Sequence, residues 1–325
     1  FIFGIGSSAP QQPELAGTNG EYPDRLYQGS TVALHYRTGE LVWWAQHHSD
    51  MWNDDAVYDR ILVTTPVNPN PPSPLGINPN IDPNESRDLV IGSFSKDAIF
   101  YAYDRSDGEF LYARPTAYQN IIAGYDGITG AYEIEPEAIM TADVEHEATI
   151  CRENRQIPQG AYSPLTNAYY VPAFNGPCSV MKLNSLEPSL DTGYNTSYIA
   201  TVPTPAGHLG QPEAINVSTG ESLWRLERET PLYGMLTTGG GLLFAADTNR
   251  RFHAVDQWTG KTLWTTILNG ASDMAPISYA VNGKQYIAVF APSGTQAAAQ
   301  HAGQLGLSAT TGVANVGHTL FVFSL

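Results

Sequence analysis

The sequence predicts an all-β protein built from repeated antiparallel sheets of the β-propeller class, with four strands to a blade. Three stretches share one pattern: a short apolar strand, a polar turn closed by Thr-Gly, and a second strand that ends on tryptophan. They are residues 33–43, 214–224 and 254–264, and residues 102–112 form a weaker copy that ends on tyrosine. Because one such unit cannot bury its own apolar face, the repeats predict neighbouring sheets packed on one another.

Each copy carries a glycine in its turn, and glycine adopts the left-handed backbone that a tight hairpin demands. These glycines are Gly39, Gly108, Gly220 and Gly260. The aromatic residue at the end of a copy has a large apolar area to bury. We therefore predict that Trp43, Trp224 and Trp264 are wedged between adjacent blades, with ligand stacking as the alternative role.

The first half of the chain alternates strand patterns with irregular stretches. Residues 1–6 begin in the middle of an apolar strand, and the first repeat strand covers 29–34. The proline- and asparagine-rich residues 66–84 predict an irregular excursion, whereas 89–103 predict two strands around Ser95-Lys96-Asp97. Residues 114–150 have a weak pattern with many acids, and we interpret them as a long insertion over one face.

The second half has clearer hairpins. We predict a strand at 168–173, a hairpin at 236–245 that bends at its glycine triplet, and a hairpin at 275–291. Asn282-Gly283 in the last hairpin is a strong type I′ turn signal. Residues 319–325 form a terminal strand suited to closing a ring, so we interpret residues 1–325 as a single propeller domain.

Composition narrows the class of partner. The 325 residues include 32 acidic and 16 basic side chains, which gives a net charge of -16. This balance disfavours nucleic acids and anionic membranes, because both require basic patches. No apolar run approaches the ~20 residues of a membrane span. We expect a soluble protein with an acidic surface.

Two cysteines and three glycosylation sequons bear on the compartment. Cys151 and Cys178 allow one disulfide, and two buried free thiols are the alternative. The sequons begin at Asn84, Asn195 and Asn216, near turn-forming residues. Together these features favour a secreted or periplasmic protein.

The order of several segments resembles the PQQ-dependent (quinoprotein) alcohol dehydrogenases. The segments are T-G-E-L-V-W at 38–43, D-M-W-N-D-D-A-V at 50–57, S-K-D-A-I-F-Y-A-Y-D-R at 95–105, G-A-Y-S-P-L-T-N-A-Y-Y-V-P at 160–172 and Y-A-V-N-G-K-Q-Y-I-A-V at 279–289. The resemblance implies part of an eight-bladed propeller. It also implies alcohol oxidation with PQQ beside a Ca²⁺ or lanthanide ion, and a separate electron acceptor.

The resemblance assigns roles to individual positions. Lys96 stands where the family places the cation that contacts the quinone. Asn53 stands at the position of the catalytic aspartate, and an amide cannot act as a general base. Ser7 stands at the position of a metal-binding asparagine, and its hydroxyl is a weaker ligand for a hard cation.

Other positions leave alternatives open. Asp55 matches an additional aspartate of the lanthanide-using members, so it is a candidate metal ligand and catalytic carboxylate. Asp54 or Asp50 is an alternative base if the loop shifts by one residue. Gln156-Ile157 stands where the family has an Asn/Asp-Trp pair next to the cofactor. His47 and His48 are interpreted as surface or hydrogen-bonded residues.

Two functions follow as hypotheses. One is a quinoprotein dehydrogenase completed by an N-terminal segment or a second chain that supplies the remaining blades. The other is a catalytically inactive secreted propeller glycoprotein with a structural or binding role, which the replacements at Asn53, Ser7 and Gln156 favour. A fold alone does not decide between them.

Overall fold

The computed structural model describes residues 1–7, 26–49, 52–140, 143, 145–152, 159–184, 196–292 and 317–324, and all that follows concerns these residues. Within these ranges the regular structure is β-strand apart from a 3₁₀ turn at Pro136–Ala138. The described residues contain no helix with the length and apolar character needed to cross a bilayer. The predicted all-β class is confirmed.

The chain forms two compact units, Phe1–Asn154 with Gly176–Gly207, and Arg155–Asn175 with His208–Leu325. The strands of the first unit are β1 (Ile2–Ile5), β2 (Ser30–Leu34), β3 (Leu41–Gln46), β4 (Ile61–Pro66), β5 (Gly76–Ile77), β6 (Ser86–Gly92), β7 (Ile99–Asp104), β8 (Phe110–Pro115), β9 (Ile122–Tyr125), β10 (Tyr132–Ile134), β11 (Ala148–Ile150), β14 (Cys178–Leu183) and β15 (Thr196–Val202). Those of the second unit are β12 (Ala161–Ser163), β13 (Ala168–Val171), β16 (Glu213–Asn216), β17 (Ser222–Arg225), β18 (Leu232–Thr237), β19 (Leu242–Asp247), β20 (Arg251–Asp256), β21 (Thr262–Ile267), β22 (Ile277–Val281), β23 (Lys284–Ala291) and β24 (Thr319–Ser324).

The described strands pair into antiparallel sheets that vary in strand number. The first unit contains β1-β2-β3, β4-β6-β7-β8-β5, β10-β9 and β11-β14-β15. The second contains β12-β13-β16-β17, β18-β19-β20-β21 and β22-β23-β24. Two sheets have the predicted four strands, whereas the others have two, three or five.

Two of the repeat tryptophans dock on the next copy of the repeat in the same way. The indole nitrogen of Trp43 donates to the Arg105 carbonyl at 2.9 Å, and that of Trp224 donates to the Gln257 carbonyl at 2.8 Å. Both rings are buried, and each covers a turn glycine three residues beyond the accepting carbonyl. A Cβ at Gly108 would lie 2.7 Å from Trp43, and one at Gly260 would lie 2.8 Å from Trp224.

The third tryptophan behaves differently. Trp264 is 42% exposed, so the prediction of a buried wedge is wrong for this residue. Its ring meets Phe323 edge-on at 5.4 Å and Phe252 at 6.3 Å. In the sheet β22-β23-β24, β22 and β23 are joined by the Asn282-Gly283 turn. Among the described glycines, none has the Trp264 ring against its Cβ position, unlike Gly108 and Gly260 with Trp43 and Trp224.

The interpretation of residues 114–150 as an insertion is incomplete. They contain the β9-β10 hairpin, which turns through Asp126 to Gly130, a further Thr-Gly turn. Asp126 Oδ1 accepts from the amides of Ile128 and Thr129. Asp256 Oδ1 accepts in the same way from the amides of Trp258 and Thr259. The predicted excursion at 66–84 also contains β5, which pairs with β8.

Tryptophan docking and turn strain can be separated by a pair of alanine substitutions. Thr38-Gly39 and Thr259-Gly260 form similar turns with φ of 74° and 71°, but nothing lies within 4 Å of a Cβ at Gly39. Gly39→Ala should cost about 1–2 kcal/mol for the left-handed backbone. Gly260→Ala should cost about 1–3 kcal/mol more, because the methyl group meets Trp224.

The free energy of unfolding of each variant, measured by denaturant titration, checks this prediction. Equal losses for the two variants would show that the indole leaves enough room for a methyl group.

Candidate functional site

The candidate site lies where two loops of the first unit meet. One loop follows β3 and contains residues 52–55; the other joins β6 to β7 and contains residues 95–97. Trp52 anchors the first loop, because its fully buried indole donates to the Ala138 carbonyl at 3.0 Å. Asn53 and Asp55 have φ of 66° and 52°, the left-handed region that side chains disfavour.

Lys96 joins the two loops. Its Nζ donates to Asp55 Oδ2 at 2.7 Å and to the Asn53 carbonyl at 2.9 Å, and its backbone amide donates to the Asp54 carbonyl at 3.1 Å. The lysine side chain is 6% exposed, whereas that of Asp55 is 35% exposed. The ammonium group is therefore nearly buried beside an accessible carboxylate.

Ser7 completes the group from the segment that follows β1. Its hydroxyl donates to Asp55 Oδ1 at 3.2 Å, on the oxygen that Lys96 does not contact. The structure thus brings together four residues singled out in the sequence, Ser7, Asn53, Asp55 and Lys96. Asn53 contributes its backbone carbonyl to the contact with Lys96.

Asp54 differs from Asp55 in its burial and its partners. Its carboxylate is fully buried, contacts Arg152 Nη1, and has His48 Nε2 at 3.8 Å. A carboxylate enclosed in this way cannot meet a substrate from solvent. The alternative in which Asp54 replaces the base therefore receives no support. Asp50 and Gln156 lie outside the described residues.

His48 connects the buried ends of the two loops. Its Nε2 lies 3.3 Å from Ser95 Oγ and 3.4 Å from Asp97 Oδ2. Asp97 Oδ2 also accepts the hydroxyl of Tyr101 at 2.6 Å. His47 and His48 are both buried and hydrogen-bonded, which excludes the surface half of their interpretation.

Arg60 lies beneath the loop at 52–55. Its guanidinium donates to the carbonyls of Tyr58 at 2.6 Å and Ala56 at 2.8 Å, and lies 4.7 Å from the centre of the Phe94 ring. Burial lowers the pKa of Arg60 to about 10, so the group remains charged at neutral pH. It ties the end of the loop to the aromatic core.

The described residues match part of what a quinone and part of what a metal ion would need. Lys96 supplies the positive charge that an anionic quinone needs, and Ser7 and Asp55 supply oxygen atoms of the kind that hard cations prefer. Ca²⁺ requires about 6–8 oxygen ligands. Among the residues that the structure describes, no three His, Cys, Asp or Glu side chains are grouped to hold a metal.

Cys151 and Cys178 are joined by a disulfide. Arg152, which follows Cys151, is the site residue that sequence reasoning missed. Its partner Asp54 is distant in sequence, and such a pairing leaves no local pattern; the position of Arg152 beside a cysteine was the available signal.

Of the sequons, Asn84 is exposed, whereas Asn216 Oδ1 accepts from the Ser218 and Thr219 amides, and Asn195 lies outside the described residues.

A groove of about 760 Å³ lies elsewhere in the first unit. Trp44, Tyr103, Phe110, Tyr132 and Ile134 are among its lining residues. Its lining does not include Ser7, Asn53, Asp55 or Lys96, so this groove is not part of the candidate site.

Comparison with known proteins is consistent with the resemblance seen in the sequence. The family model for the β-propeller domain of glucose/ethanol/alcohol dehydrogenases matches residues 200–287. The dehydrogenase subunit of alcohol dehydrogenase (quinone) from Acetobacter aceti is 29% identical over 279 residues, covering 81% of this chain and 35% of the relative. The lanthanide-dependent methanol dehydrogenase of Methylacidiphilum fumariolicum is 26% identical, with 83% and 43% covered.

A solved structure gives the same result for the fold. Quinohemoprotein alcohol dehydrogenase from Comamonas testosteroni superposes with a TM-score of 0.75 at 22% identity, covering 89% of this chain and 42% of that one. The chain thus spans well under half the length of these relatives. The predicted fold class and the predicted family resemblance are both confirmed.

His47 should contribute to the pH dependence of the free energy of unfolding. Burial, with Arg60 and His48 as further causes, lowers the pKa of His47 well below its usual value. Below pH ~6.5 the unfolded chain gains a proton that the folded chain excludes, so stability falls as pH drops, by about 1.4 kcal/mol per unit until the folded pKa is reached.

Denaturant titrations between pH 7.5 and 5.5 test this expectation with His47→Gln, which should flatten the slope. The exposed His35, changed to Gln, is the control. A wild-type slope that His47→Gln leaves unchanged would contradict the expectation.

Proposed function

We propose that this chain, related in sequence and fold to the PQQ-dependent alcohol dehydrogenases, is part of a quinoprotein oxidoreductase that acts on alcohols. The observation that carries the proposal is the meeting of Ser7, Asp55 and Lys96, residues that match site positions of that family. PQQ, when bound, would supply the two-electron acceptor. A periplasmic or secreted location and a separate electron acceptor belong to the same proposal.

Asp55 is the proposed proton acceptor. Asn53 has no basic side chain, whereas the Asp55 carboxylate is accessible and is oriented by two donors, Lys96 Nζ and Ser7 Oγ. An alcohol hydroxyl that approaches Asp55 would find a base within hydrogen-bonding reach. Lys96 would also provide the positive charge that orients the quinone oxygens.

Ser7 and Asp55 are the described residues that would contribute to a Ca²⁺ or lanthanide ion. One hydroxyl and one carboxylate leave most of the coordination shell to be supplied from elsewhere. The relatives are more than twice as long as the region they share with this chain. We propose that an additional segment or a second chain provides the remaining blades and ligands.

Exposed apolar surface supports the proposal of an additional segment or second chain. One face of the sheet β22-β23-β24 exposes large apolar side chains, namely Ile277, Tyr279, Val281, Leu320 and Val322. Apolar patches of this kind on sheet proteins mark surfaces that another element covers. A further blade is the element that the propeller repeat predicts there.

The second candidate is an inactive secreted propeller that binds or supports another molecule. Two observations favour it: Asn53 replaces the expected carboxylate, and the described residues offer an incomplete metal shell. An exposed sequon at Asn84 agrees with the glycoprotein form of this hypothesis.

Reconstitution separates the two candidates. Full-length protein mixed with PQQ and either Ca²⁺ or La³⁺ should bind the quinone and reduce a dye with a primary alcohol. Asp55→Asn should lower turnover by about 10²-fold or more, as loss of a general base does. Lys96→Met should weaken PQQ binding by about tenfold or more, as loss of a charge-assisted hydrogen bond does.

Lys261→Met, which removes an exposed lysine far along the chain, is the control and should leave both values unchanged. A folded wild-type protein that binds no quinone under these conditions would leave the inactive propeller as the function.

A further inference from the structure

The turn at residues 53–55 is strained on both sides of its central residue. Asn53 and Asp55 have φ of 66° and 52°, and neither is glycine. L-amino acids with a side chain adopt this region at a cost, although asparagine and aspartate tolerate it best. Such a turn persists when its surroundings hold it in place. Asp54, the residue between the two strained positions, has a fully buried side chain that can serve as the point at which an anchor holds the turn.

Arg152 is that anchor. Its Nη1 contacts Asp54 Oδ1, and both side chains are buried. His48 is a weaker candidate for this role, because its Nε2 lies closer to Asp97 Oδ2, at 3.4 Å, than to Asp54 Oδ2, at 3.8 Å. Arginine keeps its charge at all relevant pH values, and a buried carboxylate requires such a partner.

The disulfide fixes the backbone on which Arg152 sits. Cys151 is bonded to Cys178, the first residue of β14, and its amide donates to Asn120 Oδ1 at 2.6 Å. Arg152 Nη2 donates to the hydroxyl of Tyr198 on β15 at 3.3 Å. The sheet β11-β14-β15 therefore holds the arginine from its backbone and from its tip.

We propose that Arg152, held by the Cys151–Cys178 disulfide, is the positioning residue of the candidate site. By holding Asp54 it keeps the turn in the conformation that directs both the Asn53 carbonyl and the Asp55 carboxylate at Lys96 Nζ. Each acid then has its own cation, Arg152 for Asp54 and Lys96 for Asp55. The site is assembled when the disulfide is formed.

Accessibility of the Lys96 amine tests this proposal without any cofactor. The lysines of the chain are Lys96, Lys182, Lys261 and Lys284, and the last two are exposed. Full-length oxidised protein is treated with limiting acetic anhydride, and acetylation is measured by peptide mass spectrometry. Lys96 should react far more slowly than Lys261 and Lys284 in the same sample.

Arg152→Gln should raise Lys96 acetylation by about fivefold, because local opening of the turn releases the amine. Arg152→Lys keeps the positive charge beside Asp54 and should raise Lys96 acetylation less than Arg152→Gln does. Cys151→Ser with Cys178→Ser should change Lys96 in the same direction as Arg152→Gln. The control is Arg228→Gln, which breaks a 3.6 Å pair between the partly exposed Arg228 and the buried Asp247 in the second unit and should leave Lys96 unchanged.

Unchanged Lys96 acetylation in Arg152→Gln would overturn the proposal, as would an equal increase in Arg228→Gln. If Arg152→Gln fails to fold, Asp54→Asn combined with Arg152→Gln removes both charges and avoids an unpaired buried ion. Lys96 acetylation should still increase in this double variant, since the anchor is gone; an unchanged value there overturns the proposal.

A second measurement rests on the proposed function. Titration of PQQ in the presence of CaCl₂ should show about tenfold weaker binding for Arg152→Gln and recovery to within about threefold in Arg152→Lys. Equal losses in both variants would contradict positioning through charge. If wild-type protein binds no PQQ, the proposed function fails, and the acetylation of Lys96 still decides the role of Arg152.

Discussion

The packing of an indole ring on a turn glycine is the interaction on which the rest of the structure depends. In both cases the indole N–H donates to the carbonyl three residues before the covered glycine, Arg105 for Gly108 and Gln257 for Gly260. The ring is thus fixed by a directional bond as well as by burial. Trp43 is the third residue of β3, so this docking also positions the strand that precedes the loop at residues 52–55.

The sequence predicted what local chemistry determines. Glycine in the Thr-Gly turns, the Asn282-Gly283 hairpin and the short apolar runs indicated strands that the structure contains. The resemblance to a known family predicted that Ser7, Asp55 and Lys96 belong to one site, and their side chains lie in contact in the structure. Each of these signals lies in residues that are neighbours in the sequence or in a short family motif, so a single sequence is sufficient to recognise it.

Features that depend on distant residues were not predictable. The Arg152–Asp54 contact joins two loops that share no pattern, and the exposure of Trp264 depends on which sheet comes next. The Asp126 turn lacks the full repeat pattern, because its flanking strands are short and its second strand ends without a large aromatic residue. For the Arg152–Asp54 contact and for Trp264, the deciding contact is made with residues distant in sequence.

The open face of β22-β23-β24 has a consequence for how molecules of this chain behave in concentrated solution. The apolar side chains on it would attract one another, while the net charge of -16 keeps separate molecules apart at neutral pH. As the pH approaches the isoelectric point near 4.7, that mutual repulsion disappears. Charge repulsion therefore keeps molecules of the isolated chain dispersed. Acidification removes this repulsion and allows the exposed apolar faces of different molecules to associate.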